Sequence, residues 1–337
     1  MSGARKILKA REMSSFLFLA ALFLIVGAIN PSFLTGANIS ACFNTSVVYT
    51  LVAVGMAFAI FVGEIDVSVG SNLGLVAAVV GTMIQNGSNW YLAFAVGLLI
   101  GLAVGLVNGW GVAIMKVPSL IFTLGTNGIL RGLMYLQVGV EQVNQLPKAF
   151  KDVSSMTLVG SFTVYYCCAV ALVVVIHVLL TRTRRGRYFI AVGDNAGGAE
   201  LVGIPATRTK VMAYVICGLL SAVAGIIFCS RIGIVTSLSG NGYEMKAVAA
   251  CVLGGISLSG GVGTVIGAAI GAVIMASISY LLVFMGFSSN YDGAITGIIL
   301  ITIVVVDALM QRRAAVNNRR ARLAARTAGD AAKEAAK

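Results

Sequence analysis

The sequence predicts an all-α, polytopic helical membrane protein with about ten transmembrane segments, some of them short or broken. Composition, the lengths of the apolar stretches and the placement of the basic residues predict it. Hydrophobic residues other than glycine make up 58% of the 337 residues and charged ones only 11%, and the mean hydropathy is +0.96. Soluble domains carry about 25% charged residues, so this chain has too few to cover its apolar side chains in water. That excludes a soluble enzyme, and with it a disordered chain, a collagen and a disulfide scaffold. The 24 Lys and Arg are bunched: four between Arg5 and Arg11, six between Arg182 and Lys210, and eight after Met310. Eighteen of 24 thus lie in three short segments, the pattern the positive-inside bias produces, and it places both termini and the 182–210 loop in the cytoplasm. The net charge of +12 reads as topology plus contact with anionic membrane lipid. No nucleic-acid module is readable, so nucleic acid is not expected as a partner.

A helix needs about 20 apolar residues to cross the hydrocarbon. The apolar stretches run over 15–34, 44–62, 72–86, 90–115, 118–138, 158–181, 211–232, 245–259, 262–286 and 291–310. The first has a charged start like a signal peptide, but no small-x-small cleavage site follows and Asn30-Pro31 ends a full-length span, so it is expected to be an uncleaved helix. The third and eighth, 72–86 and 245–259, are short and Gly-rich. They are candidates for broken or re-entrant helices, which lipid tolerates only where protein or a water-filled cavity surrounds them. Six segments precede the 182–210 loop and four follow it, both even numbers, as the charge distribution requires. The domain division is a cytoplasmic N-terminal segment 1–14, a transmembrane domain 15–310 and a basic cytoplasmic tail 311–337.

Two glycine ladders repeat every four residues: Gly97, Gly101, Gly105, Gly109, and Gly263, Gly267, Gly271. Each set falls on one helical face and lets backbones approach closely, either within the subunit or at a seam between subunits. An internal echo aligns Gly63 to Gly70 with Gly254 to Gly261, identical at four of eight positions and each preceded by an apolar run. Paired, Gly-interrupted segments of this kind point to a transport pathway.

Among the twelve carboxylates, Glu64 and Asp66 stand out because they lie between two apolar runs. A charge at the bilayer centre costs about 2.5–3.5 kcal/mol on insertion scales and so faces a cavity or a partner. Three readings fit: a proton or ion site, the polar lining or hinge of a gated pathway, and a helix-end carboxylate capping the next segment through Asp66 or Ser68. Asn108, Thr123, Thr126, Asn127 and Arg131 form a second polar set, with Arg131 either snorkelling or pairing with Glu64, Asp66 or Glu141. His177 is the only histidine, and with no second His or Cys at ligand spacing a metal site is not expected. The six cysteines, Cys42, Cys167, Cys168, Cys217, Cys229 and Cys251, read as small buried hydrophobes and reduced thiols. The Gly-rich runs 193–198 and 254–263 lack the Lys-Ser/Thr of a phosphate-binding loop, so no ATP chemistry of that kind is expected on this chain. The 182–210 loop can form a short helix from Asn195 to Leu201, with Asp194 or Asn195 as N-cap and Gly203 and Pro205 as the stop. A short helix there suits a docking peg.

Five motifs occur in order: GEIDVSVGS (63–71), VPSLIFTLGTNGILRGL (117–133), Leu146-Pro147 with Phe150, GRYFIAVGDNAGGAELVGI (186–204) and EMKAVAACVLGGISLSGGVGT (244–264). In these the chain resembles the membrane-spanning permease subunit of bacterial ABC importers for monosaccharides, of the ribose, galactose, rhamnose and autoinducer-2 type. The resemblance covers residues 15 to 310 and is nearest to the autoinducer-2 or rhamnose branch. It implies an all-helical inner-membrane subunit that pairs with a second permease, identical or not. It also implies two cytoplasmic ABC ATPase subunits, or one fused duplicate, and a periplasmic or lipid-anchored sugar-binding protein. No cofactor is expected on this chain, with Mg-ATP on the ATPase partner. On this reading the chain is not an enzyme and works by alternating access, with Glu64, Asp66, Ser68, Asn108 and Asn127 as polar lining or gate. Arg187, Asp194, Asn195, Glu200 and Gly203 are expected to serve docking. The usual GGID start is departed from, because Glu64 stands where the second Gly is common. The rival readings are an ion-coupled secondary transporter using Glu64 and Asp66, and a passive channel.

Overall fold

The computed structural model describes residues 11–139, 142–288, 290–302 and 304–305. Glu141, most of the N-terminal segment and the whole tail 311–337 lie outside the described residues. Each of the ten apolar stretches meets a helix. Helix α1 (Arg11–Ile29) stops at Asn30-Pro31, where a 3-10 turn, Pro31–Leu34, begins and the Asn30 side chain accepts from the Ser32 amide. Then follow α2 (Gly36–Phe61), α3 (Val69–Gln85), α4 (Trp90–Gly109, continued by a π-helical turn, Trp110–Ile114) and α5 (Ser119–Val138). The 139–163 connection holds a short helix, α6 (Lys148–Asp152), and a small hairpin of β1 (Thr157–Val159) and β2 (Phe162–Thr163). The span expected from residue 158 therefore begins only at Val164: Gly160 turns the hairpin with φ +56°, and Thr163 caps α7 (Val164–Arg182) by accepting from the Tyr166 amide. The all-α expectation holds apart from these five strand residues.

The 182–210 loop is more helical than expected. It forms α8 (Arg184–Asp194) as well as α9 (Ala196–Leu201) before α10 (Ala206–Ile232). Next come α11 (Tyr243–Leu253), α12 (Val265–Phe284) and an apolar helix α13 (Tyr291–Thr302). Five helices, α2, α4 with its π-turn, α7, α10 and α12, are long and apolar enough to cross a membrane among the described residues. The stretch 245–259 is a broken span: 11 residues of helix end at Leu253 and the chain continues through Gly254 and Gly255.

Helices α2 and α10 form the centre of the bundle. Helix α10 packs along α4, α2 and α3, and α2 packs along α12 and α11. Of the apolar window of α2, 78% is buried, against 17% for α7. Helix α7 accordingly turns Val170, Val174, Val175, Val178 and Leu179 outward, a continuous apolar face that suits hydrocarbon and not water. Apart from Gly263, the ladder glycines pack against other elements of the same chain. A Cβ on Gly101 would stand 2.6 Å from the Gly218 carbonyl oxygen and one on Gly105 2.6 Å from that of Tyr214, so α4 meets α10 backbone to backbone. Gly267 and Gly271 bring α12 equally close to Gly254 and Ala250. Gly263 is not part of that helix face: it precedes α12 with φ +136°.

The echo is real as a device but shifted by one residue from its sequence alignment. At the end of α2, Gly63 (φ +79°) donates to the Ile60 carbonyl and Glu64 donates to that of Ala59. At the end of α11, Gly255 (φ +82°) donates to Val252 and Ile256 to Cys251. A left-handed glycine closes each helix, so Gly63 corresponds to Gly255, and the identical residues of the sequence alignment do not occupy equivalent places. The two turns also touch. The Gly261 amide donates to the Phe61 carbonyl at 3.0 Å, and a Cβ on Gly260 would stand 2.8 Å from the Gly63 nitrogen.

Candidate transport pathway and docking surface

The connector between α2 and α3 carries Glu64 and Asp66 in opposite directions. Asp66 is 1% exposed. Its Oδ1 accepts from the Ser68 amide at 2.9 Å and the Ser68 hydroxyl at 2.6 Å, and Asn108 Nδ2 donates to both carboxylate oxygens at 3.2 and 3.3 Å. Asn108 Nδ2 also donates to Ser68 Oγ at 2.8 Å, and its Oδ1 accepts from the Thr126 hydroxyl at 2.8 Å. The Val67 amide donates to Thr123 Oγ1. Four side chains, Asp66, Ser68, Asn108 and Thr126, thus form one hydrogen-bonded network joining the connector to α4 and α5, with Thr123 holding the connector backbone beside it. Asp66 holds the Ser68 amide and hydroxyl just ahead of α3. Among the described residues no cation lies within ion-pair distance of Asp66.

Glu64 instead pairs with Lys210 at 2.5 Å. Lys210, on the first turns of α10, is the last basic residue of the 182–210 segment, so an ion pair ties the connector to the end of the proposed docking segment. The pair borders a cavity of about 340 Å³, lined also by Lys116, Pro118, Glu200 and Thr207. Lys116 closes the turn before α5 with φ +58°, a left-handed conformation that costs a non-glycine residue free energy.

Two side chains of the second polar set lie apart from the Asp66 network. Arg131 pairs with neither Glu64 nor Asp66: it lies three turns along α5 from Ser119 and donates to the Ser239 carbonyl at 2.8 Å. Asn127 does not join the Asp66 network. It is half-buried, its Oδ1 has no hydrogen-bond partner, and Thr126 takes the place beside Asn108. A further charged cluster escaped the sequence reading. Lys246 of α11 pairs with Asp292 of α13, donates to Tyr49 and Ser279, and lies 5.1 Å from the Tyr49 ring centre. Its signal was available in the sequence: a lone cation and a lone carboxylate, each beside an apolar run.

Four of the proposed docking residues, Asp194, Asn195, Glu200 and Gly203, lie on one exposed tip, and Arg187 lies about two turns back along α8. Asn195 caps α9, accepting from the Gly198 amide at 2.8 Å. Gly203 (φ +81°) donates to the Glu200 carbonyl and ends the turn before Pro205. Arg187, Asp194, Asn195, Glu200 and Gly203 are all exposed. Beside them Leu201 and Val202 are 89% and 76% exposed, apolar side chains with nothing over them in the isolated chain. The base of the tip is anchored by contact without side chains: a Cβ on Gly193 would fall 1.7 Å from the Phe61 oxygen and 2.5 Å from the Gly261 nitrogen.

The chain is a helical bundle with a broken span, a buried polar network and a projecting helical tip. A family model described as the permease component of the branched-chain amino acid transport system matches residues 38–304, and the chain belongs to that family. It is the membrane permease of an ABC importer, a transport component and not an enzyme, and a multi-pass protein of the inner membrane that works with ATPase and binding-protein partners. The autoinducer 2 import system permease protein LsrC of Enterobacter sp. (strain 638) is 39% identical over 317 residues, covering 94% of this chain and 92% of that protein. LsrC of Klebsiella pneumoniae subsp. pneumoniae is 36% identical over 315 residues, 94% of this chain and 91% of that protein. LsrC of Salmonella typhi is 36% identical over 314 residues, 93% and 90% of the two. No solved structure matches the chain.

Proposed function

We propose that the chain is the permease for a sugar-like solute of the autoinducer-2 type, with ribose- or rhamnose-type monosaccharides as the nearest alternatives. The observation that carries this reading is its similarity, over more than nine-tenths of its length, to permeases named for autoinducer 2 import. The assembly is two permease subunits, two ATPase subunits or one fused duplicate, and a periplasmic binding protein. Both termini and the 182–210 segment face the cytoplasm, residues 15–310 form the transmembrane domain, and Mg-ATP is held by the ATPase alone. The Asp66–Ser68–Asn108 network, with Glu64 and Asn127 beside it, forms the gate, and the tip carrying Asp194, Asn195, Glu200 and Gly203, with Arg187 behind it on α8, docks the ATPase. Exposed Leu201 and Val202 support the docking assignment, since apolar side chains beside charged ones suit a protein interface. ATP binding on the partner moves the tip, and the ion pair Glu64–Lys210 carries that movement toward the connector.

The test is uptake of labelled autoinducer-2, ribose and rhamnose by cells treated with a protonophore while ATP is maintained. Autoinducer-2 uptake that persists and exceeds that of the two sugars is the expected result. Loss of uptake under these conditions would overturn ATP drive in favour of ion coupling through Glu64 and Asp66, and uptake of ribose alone would overturn the substrate. Glu200→Arg should reduce co-purification of the ATPase and ATP-driven uptake at least tenfold while the protein still inserts. Wild-type recovery of the ATPase with this variant would overturn the docking assignment.

A further inference from the structure

The cytoplasmic end of α7 carries a feature that neither the transport pathway nor the docking tip uses. Two adjoining cavities of about 540 and 400 Å³ lie where α7, α8 and α10 converge. The first is walled by Phe58, Ile176, Leu179, Leu180, Phe189 and Ile216, with Arg184 and Arg185 at its rim. The second shares Arg185, Phe189 and Ile216 and adds Met212 and Arg208. The walls are apolar and the rim is cationic: Arg184, Arg185 and Arg208 are all exposed, and no carboxylate lines either cavity.

Depth decides what suits such a groove. Val175, Val178 and Leu179 are exposed on the outer face of α7, an apolar surface suited to lipid tails, and the chain turns from apolar to basic between Leu180 and Arg185. The boundary between hydrocarbon and headgroups therefore passes through the groove, with its walls at acyl-chain depth and its arginines at phosphate depth. Helix α8 starts at the same level: Thr183 caps it by accepting from the Gly186 amide, and its positive end faces the headgroup layer. Basic pockets between spans on the cytoplasmic side suit anionic headgroups, while apolar walls at this depth would leave a soluble ligand without a counterpart.

We propose that this groove is a binding site for one anionic phospholipid of the cytoplasmic leaflet, its phosphate held by Arg184, Arg185 and Arg208 and an acyl chain lying along Ile176, Leu180 and Ile216. Because α8 forms one wall and leads directly into the docking tip, the lipid holds α8 against the end of α7. The site does not depend on the identity of the transported solute.

Native mass spectrometry of the purified full-length chain, delipidated and titrated with phosphatidylglycerol or phosphatidylcholine, tests it. One phosphatidylglycerol should be retained at least tenfold more tightly than phosphatidylcholine. The R184Q/R185Q/R208Q variant should lose that preference and retain the two lipids within about twofold of each other. Ile216→Trp, which fills the groove and leaves the charges in place, should weaken retention of phosphatidylglycerol and so tests the site even if the triple variant does not fold. Equal retention of the two lipids, or a preference surviving the triple variant, would overturn the proposal. So would displacement of the lipid by soluble glycerol phosphate, which would mark a free-phosphate site, or by an added ATPase or second permease copy, which would make the groove a protein interface.

Discussion

Gly193→Ala is expected to cut ATP-driven uptake at least tenfold while the protein still reaches the membrane. The added Cβ would stand 1.7 Å from the Phe61 oxygen and 2.5 Å from the Gly261 nitrogen, and neither neighbour is a side chain that can rotate away. Either α8 lifts off the end of α2 or the 3.0 Å hydrogen bond from Gly261 to Phe61 is lost. Gly197→Ala is the control. It lies four residues on, in α9, where a new methyl group meets nothing closer than the Asn195 Oδ1 at 3.6 Å, and alanine favours a helix by up to about 1 kcal/mol over glycine. Gly197→Ala should transport within twofold of the unaltered protein. Measuring uptake and ATPase co-purification for both variants separates a docking defect from a general one. Near-normal uptake by Gly193→Ala would remove the backbone joint from the mechanism.

Asp66→Ala is expected to be the most destabilising single truncation in the connector. It strands the Ser68 amide and hydroxyl and frees Asn108 Nδ2 from one of its two acceptors. Each buried donor left without an acceptor costs about 1–3 kcal/mol, so a total on the order of 3 kcal/mol is expected, read as a lowered midpoint in thermal unfolding of the purified protein. Asp66→Asn keeps an acceptor oxygen for Ser68 and should unfold within a few degrees of the unaltered chain. Its ATP-driven uptake should also be retained, because the carboxylate serves here as an acceptor and not as a proton carrier. Loss of uptake by Asp66→Asn with stability intact would show that a titrating carboxylate is needed.

The spans were legible because hydropathy is local: an apolar stretch declares itself without reference to any partner. The cap at Asn195, the stop at Gly203 and the break after Leu253 were legible for the same reason, each resting on a handful of adjacent residues. What depends on packing was not. Glu64 and Lys210 are 146 positions apart, and nothing in either neighbourhood names the other. Thr126 and Asn127 show the limit most sharply. Successive residues on a helix point about 100° apart, so which of the two meets Asn108 depends on how α5 is rotated against its neighbours. The Gly63–Gly254 alignment failed by one residue because identity of sequence followed the serines and glycines, while the fold follows the residue that takes positive φ.

The meeting of α8 with the end of α2 has a mechanical meaning. Side chains between two elements act as springs, since a rotamer change can absorb an ångström of displacement. At Phe61, Gly193, Gly260 and Gly261 the contact is mostly main chain against main chain, with Phe58 and Phe189 packed edge to face beside it. Main-chain contact at these positions leaves little room to give, so a tilt imposed on the tip would reach Gly63, three residues from Asp66. A stiff joint of this kind would time two events together instead of merely favouring both.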